Sequence, residues 1–126
     1  MVPGTERIMV KATVMSDATA AYAGESILKA ASVTPGQREV SLRVWEGEGI
    51  RTGIWEVSPG TFNSTRDGYD EICQILSGSA TITEANGNSF DVAAGSLFVT
   101  PAGWEGSWTV HETLRKMWVV HNISAE

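Results

Sequence analysis

From about Glu39 onward, apolar and polar residues alternate in short runs, a pattern typical of half-buried β-strands. The first run, 39–45, places Val40, Leu42 and Val44 on one face. Glycine and proline separate the runs, and Asn86-Gly87 is a strong hairpin signal because both residues tolerate positive φ. Short strands divided by turn residues in this way predict an all-β sandwich or barrel.

The predicted strands all lie after residue 38, whereas the beginning of the chain is less regular. The segment 17–31 is rich in alanine and is interrupted at Gly24, which leaves a short helix, a strand or an extended arm open. We therefore divide the chain into an N-terminal arm, 1–38, and one β-barrel domain, 39–126. The predicted strands are 39–45, 52–57, 69–76, 79–84, 89–92, 97–100, 107–111 and 116–122.

Composition limits the functions that the chain can have. Its 126 residues suit one domain, and 42% hydrophobic residues indicate a globular fold. The net charge of −6 argues against binding to nucleic acid or to an anionic membrane. No targeting signal or spanning segment is apparent, so a cytoplasmic protein is expected. A single cysteine, Cys73, excludes an internal disulfide and a multi-cysteine zinc site.

Two glycine-framed motifs follow each other between residues 60 and 103. The first is Gly60, Glu71 and Gly78, and the second is the run 95–103, which ends in Pro101-Ala102-Gly103. They resemble the two signature motifs of the cupin superfamily. The runs 53–56, 70–73 and 101–104 are similar to its ureidoglycine-aminohydrolase-like and ethanolamine-utilisation branch. The resemblance implies a single cupin jelly-roll β-barrel with an extended N-terminal arm, a homodimer, and a site inside the barrel.

The resemblance also implies a metal site, and the sequence departs from it. Metal-binding cupins usually supply two histidines before the motif-one glutamate and a third histidine in motif two. Here 64–70 contains no histidine, and Gly106 stands near the motif-two position. Because one carboxylate, Glu71, does not hold a transition metal firmly, we expect no metal and no cofactor. The two histidines, His111 and His121, are expected at surface or strand-end positions.

Glu71 carries most of the remaining chemistry. It shares a strand face with Tyr69 and Cys73, and the resemblance turns that face into the barrel. A buried carboxylate needs a counter-charge or a proton. One interpretation is a general acid/base or a ligand-orienting anion. The other is a structural charge neutralised by Lys116 or Arg115, of which Lys116 faces inward if Trp118 does.

The first functional hypothesis is therefore a protein that binds or converts a polar small metabolite without a three-histidine metal centre. Glu71 and Lys116 would be its catalytic pair, and four further side chains would contact the substrate. The alternative is a non-catalytic dimeric cupin that acts as an interaction or sensing module, with its barrel filled by tryptophan. A reactive thiol is not expected, since no histidine is placed to activate it. The predicted substrate contacts are Tyr69, Cys73, Trp108 and Trp118.

Overall fold

The structure is a computed structural model that describes residues 9–123. Within that range every regular element is a β-strand, which confirms the all-β prediction. No helix in the described part of the chain is long and apolar enough to cross a membrane. The strands are β1 Ile27–Leu28, β2 Arg38–Gly47, β3 Ile50–Val57, β4 Gly60–Thr65, β5 Tyr69–Glu84, β6 Ser89–Ala93, β7 Leu97–Thr100 and β8 Glu105–Asn122.

The strands form one antiparallel sheet that folds over itself, because two long strands belong to both of its halves. In the first half, the end of β8 and the start of β5 lie between β3 and β7, and β2 and β1 extend the edge beyond β3. In the second half, the start of β8 and the end of β5 lie between β4 and β6. This arrangement is a jelly-roll β-barrel.

The structure joins what the sequence divided into separate strands. The runs 69–76 and 79–84 are one strand, β5, and the runs 107–111 and 116–122 are one strand, β8. The pairing of β5 with β8 shifts register between Ile75 and Ala80. Gly78, at φ +87°, lies inside this irregular stretch. The glycine that predicted a turn instead produces a bulge, which bends the strand without ending it.

Two strands were missing from the sequence prediction. β4 begins at Gly60, directly after the turn at which the preceding strand was predicted to end. β1 pairs with β2, and Ser32 bridges to Phe62 of β4. The first strand that the structure describes thus begins at Ile27, within the segment 1–38 that the sequence analysis assigned to the arm, and residues 9–26 precede it.

Arg115 anchors this arm to the barrel. Its guanidinium donates hydrogen bonds to the carbonyl oxygens of Ala18, at 2.8 Å, and Ala21. The same group pairs with Glu56 of β3 at 2.9 Å. Arg115 therefore binds the arm, and its side chain lies on the opposite face of β8 from the side chain of Lys116.

The core is aromatic where the two halves of the barrel meet. Trp108 of β8 is stacked on Phe62 of β4, with ring centroids 5.7 Å apart. It also contacts Trp55 of β3 at 5.9 Å and Phe98 of β7 at 5.6 Å. Trp108 is only 1% exposed, so one side chain joins strands from both halves.

The bulge predicts a difference between two glycines that both have positive φ. A Cβ at Gly78 would overlap the carbonyl oxygen of Thr113 and lie 2.8 Å from Leu114 Cα, whereas a Cβ at Gly87 meets nothing within 4 Å. Gly87→Ala should lower the free energy of unfolding by about 1–2 kcal/mol through backbone strain alone. Gly78→Ala should lower it by about 1–3 kcal/mol more. Urea unfolding of both variants measures this, and equal losses would contradict it.

Candidate functional site

A cavity of about 430 Å³ lies between strands of both halves of the barrel. Its walls combine aromatic, charged and small polar side chains, and its charged groups come from five different parts of the chain. The volume falls in the usual range for small-molecule sites. The aromatic side chains that line it are Trp55, Phe62, Tyr69, Trp108 and Trp118, and the charged ones are Lys29, Arg51, Arg66, Glu71 and Lys116.

Glu71 of β5 is held by two cations. Its Oε1 accepts a hydrogen bond from Arg66 Nη2 at 2.8 Å and another from Lys116 Nζ at 2.8 Å. All three residues are buried, at 9%, 5% and 5% exposed, respectively. Oε2 accepts no hydrogen bond from residues 9–123, so one oxygen of a residue that lines the cavity remains for a ligand. We call Arg66, Glu71 and Lys116 the charge cluster.

The fold brings the charge cluster together from two strands and a turn. Glu71 of β5 is paired with Val120 of β8, and Lys116, four residues before Val120, is paired with Ile75 of β5. Arg66 follows β4 directly. Its Nε donates to Thr100 Oγ1 at 2.9 Å, which fixes the guanidinium plane. Arg66 also donates to Ser64 Oγ and to the carbonyl oxygen of Thr65.

The cluster keeps Glu71 ionised at neutral pH. Burial by itself raises the pKa of this carboxyl group. The Lys116 ammonium and the Arg66 guanidinium more than offset that effect, and the pKa of Glu71 is lowered from its ordinary 4.5. Glu71 is therefore a carboxylate that accepts hydrogen bonds.

Two tryptophans hold the ammonium of Lys116. Its Nζ lies 4.5 Å from the ring centroid of Trp55 and 4.7 Å from that of Trp108. The negative faces of the two rings favour a cation between them. This aromatic clamp, together with Glu71, accounts for a lysine that is almost completely removed from water.

Cys73 lies behind Glu71 and not on the cavity wall. It is 0% exposed, and its thiol donates to Glu71 Oε1 at 3.1 Å. The sequence hypothesis made Cys73 a substrate contact, whereas in the structure Cys73 is not among the residues that line the cavity. Burial, together with the neighbouring carboxylate, raises the pKa of the Cys73 thiol to about 12.

The other predicted site residues lie together. Glu71, Lys116, Tyr69, Trp108 and Trp118 all line the one cavity. Of the two basic residues proposed as partners of Glu71, Lys116 pairs with it, whereas Arg115 pairs with Glu56.

Arg66 was missed, although the sequence holds a signal for it. It is the only basic residue between Arg51 and Arg115, and it lies in the segment in which metal-binding cupins carry histidines. Lys29 was also missed, because its segment was assigned to the arm. It reaches the cavity from the short segment that follows β1.

The residues present do not fit a three-histidine metal centre. His111 is exposed and shares a hydrogen bond with Thr81 at 2.8 Å. His121 is exposed and lies 3.3 Å from Asp70. Across residues 9–123 there is no group of three or more histidine, cysteine, aspartate or glutamate side chains that could hold a metal ion. Of the carboxylates in the described range, only Glu71 lines the cavity, and it already faces two cations, which disfavours a further positive charge.

The position of Cys73 predicts a thiol that does not react in the native protein. With a pKa of about 12, roughly one molecule in ten thousand carries the thiolate at pH 8. Native Cys73 should therefore react with Ellman's reagent roughly a thousandfold more slowly than the same cysteine in guanidinium chloride. Rapid stoichiometric labelling of the folded protein would contradict this prediction.

Comparison with known proteins supports the fold. The EutQ protein of Clostridium difficile is 21% identical, with 75% of each chain covered and a TM-score of 0.64. A protein of unknown function from Pseudomonas syringae pv. tomato is 23% identical, with 82% of this chain and 46% of that chain covered and a TM-score of 0.67. A predicted oxalate decarboxylase from Thermotoga maritima is 20% identical, with 79% and 91% covered and a TM-score of 0.60.

At these low identities the structural likenesses show the fold alone. No curated protein matches the chain in sequence. A family model is more decisive, since the EutQ-like cupin domain matches residues 44–118, more than half of the chain. Together with the barrel described above, this confirms the cupin resemblance of the two glycine-framed motifs: the chain belongs to the EutQ-like cupin domain family.

Proposed function

We propose that the protein binds a polar small molecule in its barrel and does so through the charge cluster rather than through a transition metal. The observation that carries this proposal is the asymmetry of Glu71. One carboxylate oxygen is held by Arg66 and Lys116, and the other accepts no hydrogen bond from the described residues. The group is preorganised, and it lines a cavity of about 430 Å³.

The charge state of Glu71 decides its role in this proposal. A carboxyl group with a lowered pKa has no proton to give at neutral pH, so a role as general acid is disfavoured. Glu71 acts instead as an anion that accepts a ligand N–H or O–H and, if the protein is an enzyme, as a weak base. Lys116 supplies the positive charge beside it, while Tyr69, Trp108 and Trp118 form walls of the cavity.

The alternative, a dimeric interaction module, is favoured by a different observation. Leu97 and Val99 of β7 are 67% and 54% exposed, and Ile72 of β5 is paired in register with Val99. Such an apolar strip on an outer sheet face suits contact with a second copy. A homodimer is compatible with either function, and we include it in the proposal.

A cytoplasmic location and a ureidoglycine-aminohydrolase-like activity remain predictions.

Binding in the cavity can be tested by NMR. Fragments that are anionic, neutral or cationic are added to the ¹⁵N-labelled full chain, before and after treatment with EDTA. Binders should shift the indole N–H signals of Trp55, Trp108 and Trp118, which line the cavity, and not that of Trp45, which does not. Treatment with EDTA should not change these shifts. The proposal fails if no fragment shifts the lining signals, or if purified protein holds stoichiometric iron, manganese, nickel or zinc on which binding depends.

Removing the charge of Glu71 should destabilise the folded protein. Glu71→Gln leaves two buried cations without a carboxylate, so the free energy of unfolding at pH 7 should fall by about 3–5 kcal/mol. Adding Lys116→Met should recover part of this loss, since one of the two unpaired charges is then removed. The control is Glu46→Gln, which breaks an exposed pair with Arg43 and should change stability by less than about 1 kcal/mol. Urea unfolding measures all of these.

The same variant should alter the pH dependence of stability. The folded-state pKa of Glu71 lies below its ordinary 4.5. Its stabilisation is therefore complete above the unfolded pKa and is lost as the pH falls through the folded pKa. Glu71→Gln should show a shallower loss between pH 5 and the acid limit of folding than the unaltered chain does. Parallel stability profiles would contradict a lowered pKa.

A further inference from the structure

The cavity reverses the charge of the chain around it. The chain carries a net charge of −6, yet the cavity is lined by the four cations Lys29, Arg51, Arg66 and Lys116 and by one carboxylate, Glu71. Glu39, which does not line the cavity, pairs with Lys29 at 3.1 Å. With this second carboxylate included, the balance is four cations against two anions, so the local charge remains positive.

Lys116 keeps hydrogen-bonding capacity inside the charge cluster. It has three N–H donors, and among residues 9–123 its only hydrogen-bond acceptor is Glu71. Lys29 and Arg51 also keep free donors, since their side chains donate only to Glu39 and Asn122, respectively, among the described residues. Arg66 is a positioning residue, because it already donates to Ser64, Thr65, Thr100 and Glu71.

Two tryptophans of the cavity wall carry buried indole N–H groups. The indole nitrogens of Trp108 and Trp118 have no hydrogen-bond partner among the described residues. Because other side-chain atoms of both tryptophans line the cavity, their indole N–H signals report binding at its wall.

Aromatic side chains form one part of the remaining wall, and Ser41, Asn63, Ser64 and Thr65 form another. Trp55 and Phe62 lie edge to face, and Phe62 is stacked on Trp108. The aromatic part of the wall favours a planar or apolar body in the ligand.

We propose that the cavity is selective for small organic anions, with the acidic group at Lys116 and a planar or apolar body against the aromatic walls. Lys29 and Arg51 add to the positive potential at this point. The inference rests on the proposed binding function and names its ligand class. A carboxylate and a phosphate group share the required chemistry, and the test separates them.

The test uses four aromatic compounds of similar shape and different charge: benzoate, phenyl phosphate, benzamide and benzylamine. Each is titrated into the ¹⁵N-labelled full chain at low ionic strength, and the tryptophan indole N–H signals are followed. Benzoate or phenyl phosphate should shift the signals of Trp108 and Trp118 and should bind at least about tenfold more tightly than benzamide. Benzylamine should cause no shift. The tighter of the two anions identifies the preferred acidic group.

Matched variants assign the effect to the cavity. Lys116→Met should weaken binding of the preferred anion by about tenfold or more. Lys11→Met removes the same charge from an exposed position outside the cavity and should leave binding unchanged. If Lys116→Met does not fold, Arg51→Met provides the second readout and should weaken anion binding severalfold. Added sodium chloride should weaken binding of the anions more than binding of benzamide.

Each outcome decides between the two proposals. If benzamide or benzylamine binds as tightly as the anions, anion selectivity is wrong and the proposed binding function stands. Anion selectivity is also wrong, and the binding function stands, if benzoate and phenyl phosphate do not bind while neutral or cationic fragments from the earlier panel shift the signals of the lining tryptophans. If neither series shifts them, both proposals are wrong. Equal weakening by Lys116→Met and Lys11→Met also overturns the inference.

Discussion

The structure depends on the neutralisation of one buried carboxylate. Glu71 lies inside the barrel, where an unpaired charge would be too costly to keep. Arg66 and Lys116 supply two cations to one of its oxygens, both at 2.8 Å. This leaves a surplus of positive charge in the cavity, and it leaves the second oxygen without a protein partner. The properties that suggest a binding site follow from this excess of cations over carboxylates.

The same interaction explains why the familiar metal centre is not supported by these residues. A transition metal in a cupin is held by histidine nitrogens with a carboxylate. In this chain the segment before Glu71 supplies a guanidinium, and the two histidines are exposed and do not line the cavity. The carboxylate is therefore surrounded by arginine and lysine and not by histidine. These residues can offer charge-assisted hydrogen bonds to a ligand within the barrel.

Two long strands make this cluster possible. β5 and β8 pass through both halves of the barrel, and they bend where Gly78 lies against the backbone of Thr113 and Leu114. The bend allows residues of the second half, such as Trp108, to pack against residues of the first, such as Trp55 and Lys116. A small domain thereby builds a partly aromatic cavity in which Glu71 and Lys116 lie on strands, while Arg66 lies in the turn after β4.

The sequence by itself determined the all-β class, the hairpin at Asn86-Gly87, and the strand face that Glu71 shares with Tyr69 and Cys73, because alternation and turn chemistry are local properties. That this face points into the barrel came from the cupin resemblance. The sequence also indicated Lys116, since period two places it on the face of Trp118. Only the tertiary structure decided that Gly78 bends a strand instead of ending it, that Arg115 serves the arm, and that Arg66 completes the cluster. The reason is physical: counter-charges and close backbone approaches join residues far apart in the chain, and a local pattern cannot show which of several basic side chains reaches a buried carboxylate.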